Sequence, residues 1–115
     1  MVESRDTFES IQQQIATGDI PGAISSLDSL DPEKRSSVEG LYLSAVCHRY
    51  LRNSALSLEA LDQLQKVAPE YGRGHQERGH LLRDMGRDEG ALQAYRQACA
   101  HNPALIASWR AQLEI

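Results

Sequence analysis

The sequence predicts an all-α protein built from antiparallel helix pairs in a solenoid. Prolines punctuate the chain at intervals in the thirties, at Pro32, Pro69 and Pro103. Apolar residues recur between them at helical spacing. No stretch shows the β-branched alternation that is typical of a strand. A period of this length indicates repeated helical units.

The segment from Ser4 to Ser37 predicts one helix pair. Its first helix follows from Phe8, Ile11 and Ile15, which share one face before a Gly-Asp turn. Its second helix begins after Asp19, a predicted N-cap, and carries Pro21 in the first turn, where proline is tolerated. The apolar face of that helix consists of Ala23, Ile24, Leu27 and Leu30.

Two more pairs and a final helix bring the expected number of helices to seven. Linkers of two to five residues hold consecutive helices antiparallel. Asn53 or Ser54 is the predicted N-cap of the fourth helix, and Asp88 is that of the sixth. The apolar faces, in chain order, are Leu41, Ala45, His48 and Leu51; Leu58, Leu61 and Leu64; His75, Gly79 and Leu82; Ala91, Leu92, Tyr95, Ala98 and Cys99; and Ile106, Trp109 and Leu113.

Composition limits the classes of function that fit the chain. Its 115 residues carry a net charge of −4 and lack the basic patch that nucleic-acid binding requires. The N-terminal residues lack the apolar core of a secretory signal, and no apolar run reaches the ~18 residues of a membrane span. Cys47 and Cys99 are expected to be reduced and buried, and a disulfide between them is the less favoured alternative. We therefore expect a cytoplasmic protein that does not bind membranes.

The third predicted pair resembles a tetratricopeptide repeat (TPR). Gly79 occupies the small site of the first helix, and Pro103 closes the unit. The second helix carries the alanine–aromatic–alanine pattern of the family at Ala91, Tyr95 and Ala98. We expect the Tyr95 ring to fill the space that Gly79 leaves open, so that the two helices approach closely.

The resemblance covers nearly the whole chain and implies a right-handed superhelical solenoid in a single domain. The units lie at about residues 4–37, 38–71 and 72–105, with a C-terminal helix at 104–115. His75 and Arg78 stand where the family has a bulky aromatic residue and a leucine, and Arg78 is expected to snorkel or to pair with an acid of the neighbouring unit. A weaker similarity links residues 68–111 to the repeats that precede bacterial sulfotransferase domains, so the alternative function is the non-catalytic part of a larger transferase.

No pattern of catalytic or metal-binding residues is visible. The glycines of GRGHQERG do not match a dinucleotide-binding loop, and His75 and His80 point to different sides of one helix. Cys47 lies among apolar residues, where a thiol is unreactive. We expect no enzymatic activity, no metal and no cofactor.

The TPR resemblance implies that the first helix of each pair lines a concave groove that binds a protein or peptide. Tyrosines there offer amphipathic anchors and arginines read carboxylates, which suits an acidic peptide or one with a C-terminal carboxylate. The alternative is a set of solvated helix faces. The predicted groove residues are Tyr42, Arg49, Tyr50, Arg73, Gln76, His80 and Arg83, with Arg5, Phe8, Gln12, Ile15, Glu39, Val46 and Asp84 at neighbouring positions.

The C-terminal helix reaches Leu113 and Ile115 without a helix stop signal. One explanation is a capping helix, with its apolar side docked on residues 91–99. The other is a fragment of a longer chain, or a chain that associates through this end. The apolar last residue favours the second explanation, and self-association through this helix would give a dimer.

Overall fold

The architecture is a row of antiparallel helices. A computed structural model describes residues 4–115, and in this range the chain forms eight helices and no strand. The predicted all-α solenoid of helix pairs is confirmed, and the short α3 is a helix that the sequence did not predict. The bounds are α1 Ser4–Ala16, α2 Ile20–Asp28, α3 Pro32–Arg35, α4 Val38–Tyr50, α5 Ser54–Val67, α6 Gly72–Asp84, α7 Asp88–His101 and α8 Ile106–Glu114.

Alternate helices start at equal spacing along the sequence, and we call this spacing one repeat. We call α1, α4, α6 and α8 the first helices, and they begin at Ser4, Val38, Gly72 and Ile106. The second helices α2, α5 and α7 begin at Ile20, Ser54 and Asp88. The turn inside each pair recurs as well, because Gly18, Arg52 and Gly86 have positive φ angles of 89°, 63° and 77°. Glycine adopts this left-handed conformation without steric cost, so Arg52 is the strained member of the series.

The first pair differs from the other two in its second helix. α2 has 9 residues, whereas α5 and α7 have 14 each. Asp31 Oδ1 accepts a hydrogen bond from the Lys34 N–H at 2.9 Å and caps α3. Gly40 of α4 lies against the backbone of Lys34 and Arg35, with no room for a Cβ. The one-turn α3 therefore packs on α4 in the connection that follows the shortened α2.

Two of the predicted helix caps have different outcomes. Asp19 caps α2 as predicted, since its Oδ1 accepts a hydrogen bond from the Gly22 N–H at 3.1 Å. The predicted Asp88 cap is wrong, because Asp88 is the first residue of α7 and Arg87 occupies the N-cap position without a side-chain hydrogen bond. The Asp88 carboxylate instead lies in the first turn, where negative charge interacts favourably with the helix dipole.

Three apolar clusters hold the helices together, and each includes residues of more than one helix. The cluster between α1, α2 and α4 contains Ile11, Ala23, Leu27, Leu43 and Cys47. The cluster between α4, α5 and α6 contains Leu41, Ala45, Ala60, Leu61, Leu64 and Leu81. The cluster between α7 and α8 contains Ala91, Tyr95 and Ala111. Burial of apolar surface thus joins each pair to the next along the row.

The contact between Gly79 and Tyr95 shows how closely the helices of one pair approach. Tyr95 is fully buried, and a Cβ at residue 79 would lie 2.7 Å from its Cε1. The predicted packing of a small residue against a ring is confirmed. The Tyr95 hydroxyl lies 2.7 Å from His80 Nδ1, so the buried ring keeps a polar partner.

Helix α8 docks through a different side from the one expected. Its buried residues are Ser108 and Ala111, and the Ser108 hydroxyl donates to Gln76 Oε1 at 2.8 Å. As in the capping-helix explanation, α8 packs on residues 91–99, but it does so through Ala111, which lies in one cluster with Ala91 and Tyr95, so that small side chains let α8 approach α7 closely. The apolar residues of α8 are exposed: Ile106, Trp109 and Leu113.

Candidate functional site

A cleft of about 260 Å³ lies on the side of the molecule that the first helices α1, α4 and α6 form. Leu43 and Val46 are buried and make an apolar floor, whereas Arg73 is exposed at the rim. The volume is below the ~300–1,000 Å³ of typical small-molecule pockets, and it suits one or two amino-acid side chains. We call it the first-helix cleft, and it is lined by Gln12, Ile15, Tyr42, Leu43, Val46 and Arg73.

The polar wall of the cleft is ordered by contacts between neighbouring helices. Gln12 Nε2 of α1 donates to Glu39 Oε2 of α4 at 2.7 Å. The Tyr42 ring packs edge to face on Tyr71, with ring centroids 5.8 Å apart and an angle of 88° between the planes. Burial raises the pKa of Tyr42 to about 12, so its hydroxyl keeps its proton at neutral pH and remains able to donate a hydrogen bond.

Arg73 is a cation without an acidic partner among the described side chains, those of residues 7–115. Ion pairs in that range engage Arg49, Arg78 and Arg83, and none involves Arg73. Burial raises the pKa of Tyr42 and of Tyr71, and the positive charge of Arg73 opposes the rise in both. The guanidinium therefore lies close to both rings and hydrogen-bonds to the Tyr71 side chain, while the residue stays exposed to solvent, where a carboxylate of a ligand can reach it.

Arg49, by contrast, is held inside the molecule. Its Nε pairs with Glu77 Oε2 of α6, and its Nη1 lies 3.3 Å from Asp84 Oδ2. The exposed fractions of the Arg49 and Glu77 side chains are 15% and 4%. Burial raises the pKa of Glu77, although the Arg49 charge and hydrogen bond act against the rise. An arginine that neutralises a buried carboxylate is not available to a ligand.

Tyr50 lies in another cleft. The Arg49 guanidinium lies over the Tyr50 ring, 4.9 Å from the ring centroid, an arrangement typical of a cation–π contact. This second cleft has a volume of about 250 Å³ and is lined by Arg49, Tyr50, Arg52, Ser54, Leu81 and Asp84. Tyr42 and Tyr50 do not line a common cleft, so they do not anchor one ligand side chain together.

The remaining three predicted groove residues have partners inside the chain. Gln76 accepts a hydrogen bond from Ser108, and His80 Nδ1 lies 2.7 Å from the Tyr95 hydroxyl. Arg83 Nη1 lies 2.9 Å from Glu114 Oε1. Burial lowers the pKa of His80, with the Arg49 charge contributing, so the ring is neutral at pH 7. These contacts join α6 to α7 and α8.

The sequence predicted some of the residues that line the cleft. Tyr42 and Arg73 are predicted groove residues, and Gln12, Ile15 and Val46 are among the neighbouring positions. Leu43 is not among the predicted groove residues, nor is it on the apolar face of Leu41, Ala45, His48 and Leu51 that the sequence predicts for this helix. The side chain of Arg5 lies outside the described part of the chain.

No cluster suited to metal binding is present in the described residues, where three His, Cys, Asp or Glu side chains do not come together. Cys47 and Cys99 are buried and not bonded to one another. Burial raises the pKa of the Cys47 thiol to about 11, with the Glu77 charge contributing, so the nucleophilic thiolate is scarce at neutral pH.

A larger depression of about 620 Å³ lies beside the second helices, between α5, α6 and α7. Three glutamines and two arginines contribute to its lining: Gln65, Gln93, Gln97, Arg78 and Arg96. Arg78 Nη2 lies 2.8 Å from Asp62 Oδ1 of α5, which confirms the expected pairing with an acid of the neighbouring unit. Its lining has no large buried apolar residue, in contrast to the first-helix cleft with its floor of Leu43 and Val46.

Solved structures include a close match to this arrangement of helices. The crystal structure of MamA superposes with a TM-score of 0.77 over 96% of this chain, at 18% sequence identity. The chain has a TPR-like fold. It spans 64% of the length of the MamA chain, and at this identity the likeness concerns the fold alone. No family model and no curated protein matches the sequence.

The helices within residues 4–115 are short, and none of them is long and apolar enough to cross a lipid bilayer.

Proposed function

We propose that the protein is an interaction scaffold, without catalysis of its own, that binds a peptide in the first-helix cleft. The TPR-like fold supports the role of scaffold. The observation that carries the assignment to this cleft is Arg73, an exposed cation without an acidic partner among the described side chains, beside a floor of buried Leu43 and Val46.

The chemistry of the cleft selects the kind of peptide. An apolar ligand side chain fits over Ile15 and Val46, while a carboxylate beside it pairs with Arg73. Tyr42 and Gln12 add hydrogen-bonding groups to the wall. The carboxylate belongs either to the C-terminus of the peptide or to an Asp or Glu side chain, since Arg73 meets the same group in both cases.

Of the three arginines predicted to read carboxylates, we assign this role to Arg73 alone. Arg49 already neutralises Glu77, and Arg83 is paired with Glu114. Replacing Arg49 would leave a buried carboxylate unpaired, so a loss of binding in that variant would report on folding and not on ligand contact.

The test is a screen of two synthetic hexapeptide libraries, one with free C-terminal carboxylates and one amidated, followed by fluorescence anisotropy with the best peptide. Loss of binding on amidation identifies the C-terminus as the Arg73 partner, and retention in Asp- or Glu-containing peptides identifies a side chain. We expect Arg73→Gln to weaken binding by about 10- to 100-fold, the range for a charge-assisted contact.

Arg110→Gln is the matched control, since Arg110 is an exposed arginine on α8 outside the cleft. It should bind the peptide as the unmodified chain does. A screen without any binder in either library, or an Arg73→Gln variant with unchanged affinity, would contradict the proposal.

The alternative function, the repeat region of a bacterial transferase such as a sulfotransferase, stays a prediction, as does the cytoplasmic location. The comparisons give the transferase no support. A nucleotide-binding domain encoded in the same reading frame would favour it over an independent scaffold.

A further inference from the structure

A second charged residue without an ion-pair partner lies beside the first-helix cleft. Glu39 is in the first turn of α4, three residues before Tyr42, so the two side chains share one side of the helix. Its Oε2 accepts a hydrogen bond at 2.7 Å from Gln12, which lines the cleft. None of the ion pairs among the described side chains involves Glu39. Helix α1 therefore holds this carboxylate at the cleft without neutralising it.

Glu39 and Arg73 act on the same two aromatic rings. Burial raises the pKa of Tyr71, the Glu39 charge adds to the rise, and the Arg73 charge opposes it. The pKa of Tyr42, whose ring packs on that of Tyr71, is raised mainly by burial and responds to the same two charges in the same directions. Both charges thus lie near this pair of rings, yet they do not form an ion pair with each other.

The other charged residues near Glu39 do not change this arrangement. The Glu77 charge also raises the pKa of Tyr42, after burial, but its side chain is 4% exposed and pairs with Arg49. Lys34 and Arg35 are the cations nearest to Glu39 along the chain, and neither forms an ion pair with it. Within the described side chains, the cleft therefore has one cation and one anion that a ligand can neutralise.

We propose that the peptide in the first-helix cleft carries a cationic side chain close to its carboxylate, and that Glu39 pairs with the cation while Arg73 pairs with the carboxylate. This inference rests on the proposed function and names the charge pattern of its ligand. A peptide with a carboxylate alone brings a second negative charge near Glu39, which costs affinity. A Lys or Arg side chain replaces this repulsion by attraction, so Glu39 determines specificity and Arg73 determines binding.

The geometry of the rings limits where in the peptide the cation lies. The ring centroids of Tyr42 and Tyr71 are 5.8 Å apart, and both charges lie near this pair. An extended peptide advances about 3.3 Å per residue, so one or two residues span a distance of this size. We therefore expect the cationic residue within about two residues of the carboxylate.

The experiment starts from the best peptide of the library screen and places lysine or norleucine in turn at each position that does not carry the carboxylate. Norleucine keeps the apolar stem of lysine and lacks the charge. By fluorescence anisotropy, lysine should bind about 5- to 10-fold more tightly than norleucine at one position within two residues of the carboxylate. At the other positions the two peptides should bind alike.

Variants of the protein assign the preference to Glu39. Glu39→Gln keeps an acceptor for Gln12 and removes the charge, so it should abolish the preference for lysine and still bind the norleucine peptide. Glu39→Lys should reverse the preference, in favour of glutamate at the same peptide position. Glu59→Gln is the matched control, since Glu59 is an exposed acid on α5 outside the cleft, and it should keep the preference for lysine.

The outcomes separate this inference from the proposed function. A peptide that needs Arg73 but shows no preference for lysine at any position, or a preference that persists in Glu39→Gln, would overturn the inference and leave the proposed function standing. A screen without any binder, or binding that survives Arg73→Gln, would overturn both.

Discussion

Arg49 and Arg83 occupy equivalent positions, one repeat apart on α4 and α6, and each reaches the next first helix. Arg49 pairs with Glu77 in a junction that is almost closed to solvent. Arg83 pairs with Glu114 in a junction where the two side chains are 38% and 50% exposed. The same residue at the same point of the repeat thus works in two different environments.

The difference originates in the residue that faces each arginine. The position on α8 that corresponds to Glu77 is Ala111, which has no charge, so Arg83 pairs instead with Glu114, the last residue of α8. Exposed ion pairs contribute little to stability, whereas removing one partner of a buried pair leaves an uncompensated charge. The inner junction therefore depends on its ion pair and the outer junction does not.

The largest expected effect is that of Glu77→Ala. The substitution leaves the buried Arg49 guanidinium with only the exposed Asp84 carboxylate, at 3.3 Å, so the free energy of unfolding should fall by about 2–4 kcal/mol. Urea unfolding followed by circular dichroism measures it. Glu114→Ala is the control in the outer junction and should not shift the midpoint measurably; equal losses in the two variants would remove the distinction between the junctions.

Next in size is Gly79→Leu. Because a Cβ at this position would lie 2.7 Å from the Tyr95 ring, the larger side chain should overpack the α6–α7 contact and destabilise the fold by about 1–3 kcal/mol. Leu113→Ala changes the equivalent position of α8, which is 89% exposed, and should alter stability by less than about 0.5 kcal/mol. A neutral Gly79→Leu would show that the helices of this pair do not need a small residue there.

A smaller effect is expected from His80, which lies next to the inner junction. Burial lowers the pKa of His80 below its ordinary value of 6.5, so the folded state favours the neutral ring. As the pH falls below about 6.5, the unfolded chain binds the proton first, and this part of the stability is lost by at most ~1.4 kcal/mol per pH unit. Above that range it is fully present.

The measurement is the free energy of unfolding at pH 7.5, 6.5 and 5.5 for the unmodified chain and for His80→Gln, whose side chain also offers the Tyr95 hydroxyl a hydrogen-bonding partner. The variant should show a shallower decline between pH 6.5 and 5.5. Identical pH profiles would mean that His80 does not couple folding to protonation.

Features that depend on residue type and on regular spacing along the chain were predictable from the sequence. Helical spacing and the regular recurrence of prolines indicated the helix pairs, and the pairing of Gly79 with Tyr95 followed from residue size. The additional α3 lacked such a signal, because four residues are too few to show a period. Its Asp31-Pro32 start is the one local mark of a helix N-terminus.

Whether each predicted groove residue is free or already paired within the chain was not predictable in the same way. Whether an arginine is free depends on which acid of a neighbouring helix lies within reach, and Glu77 is 28 residues from Arg49. Arg73 and Arg83 look alike in the sequence, yet only Arg83 finds an acidic partner in the described residues. The side of α8 that packs was not evident either, because hydrophobicity points to Trp109, whereas close approach of helices favours Ser108 and Ala111.

The central proposal is that Arg73 and its cleft bind the ligand, whereas Arg49 and Arg83 are engaged in ion pairs within the chain. The most direct test is an amide ¹H–¹⁵N NMR titration with the peptide selected in the library screen. The account predicts shifts concentrated at Gln12, Ile15, Tyr42, Val46 and Arg73, and their loss in Arg73→Gln. Shifts centred on Arg49, Arg83 and the second cleft, or the same shifts in Arg73→Gln, would contradict it.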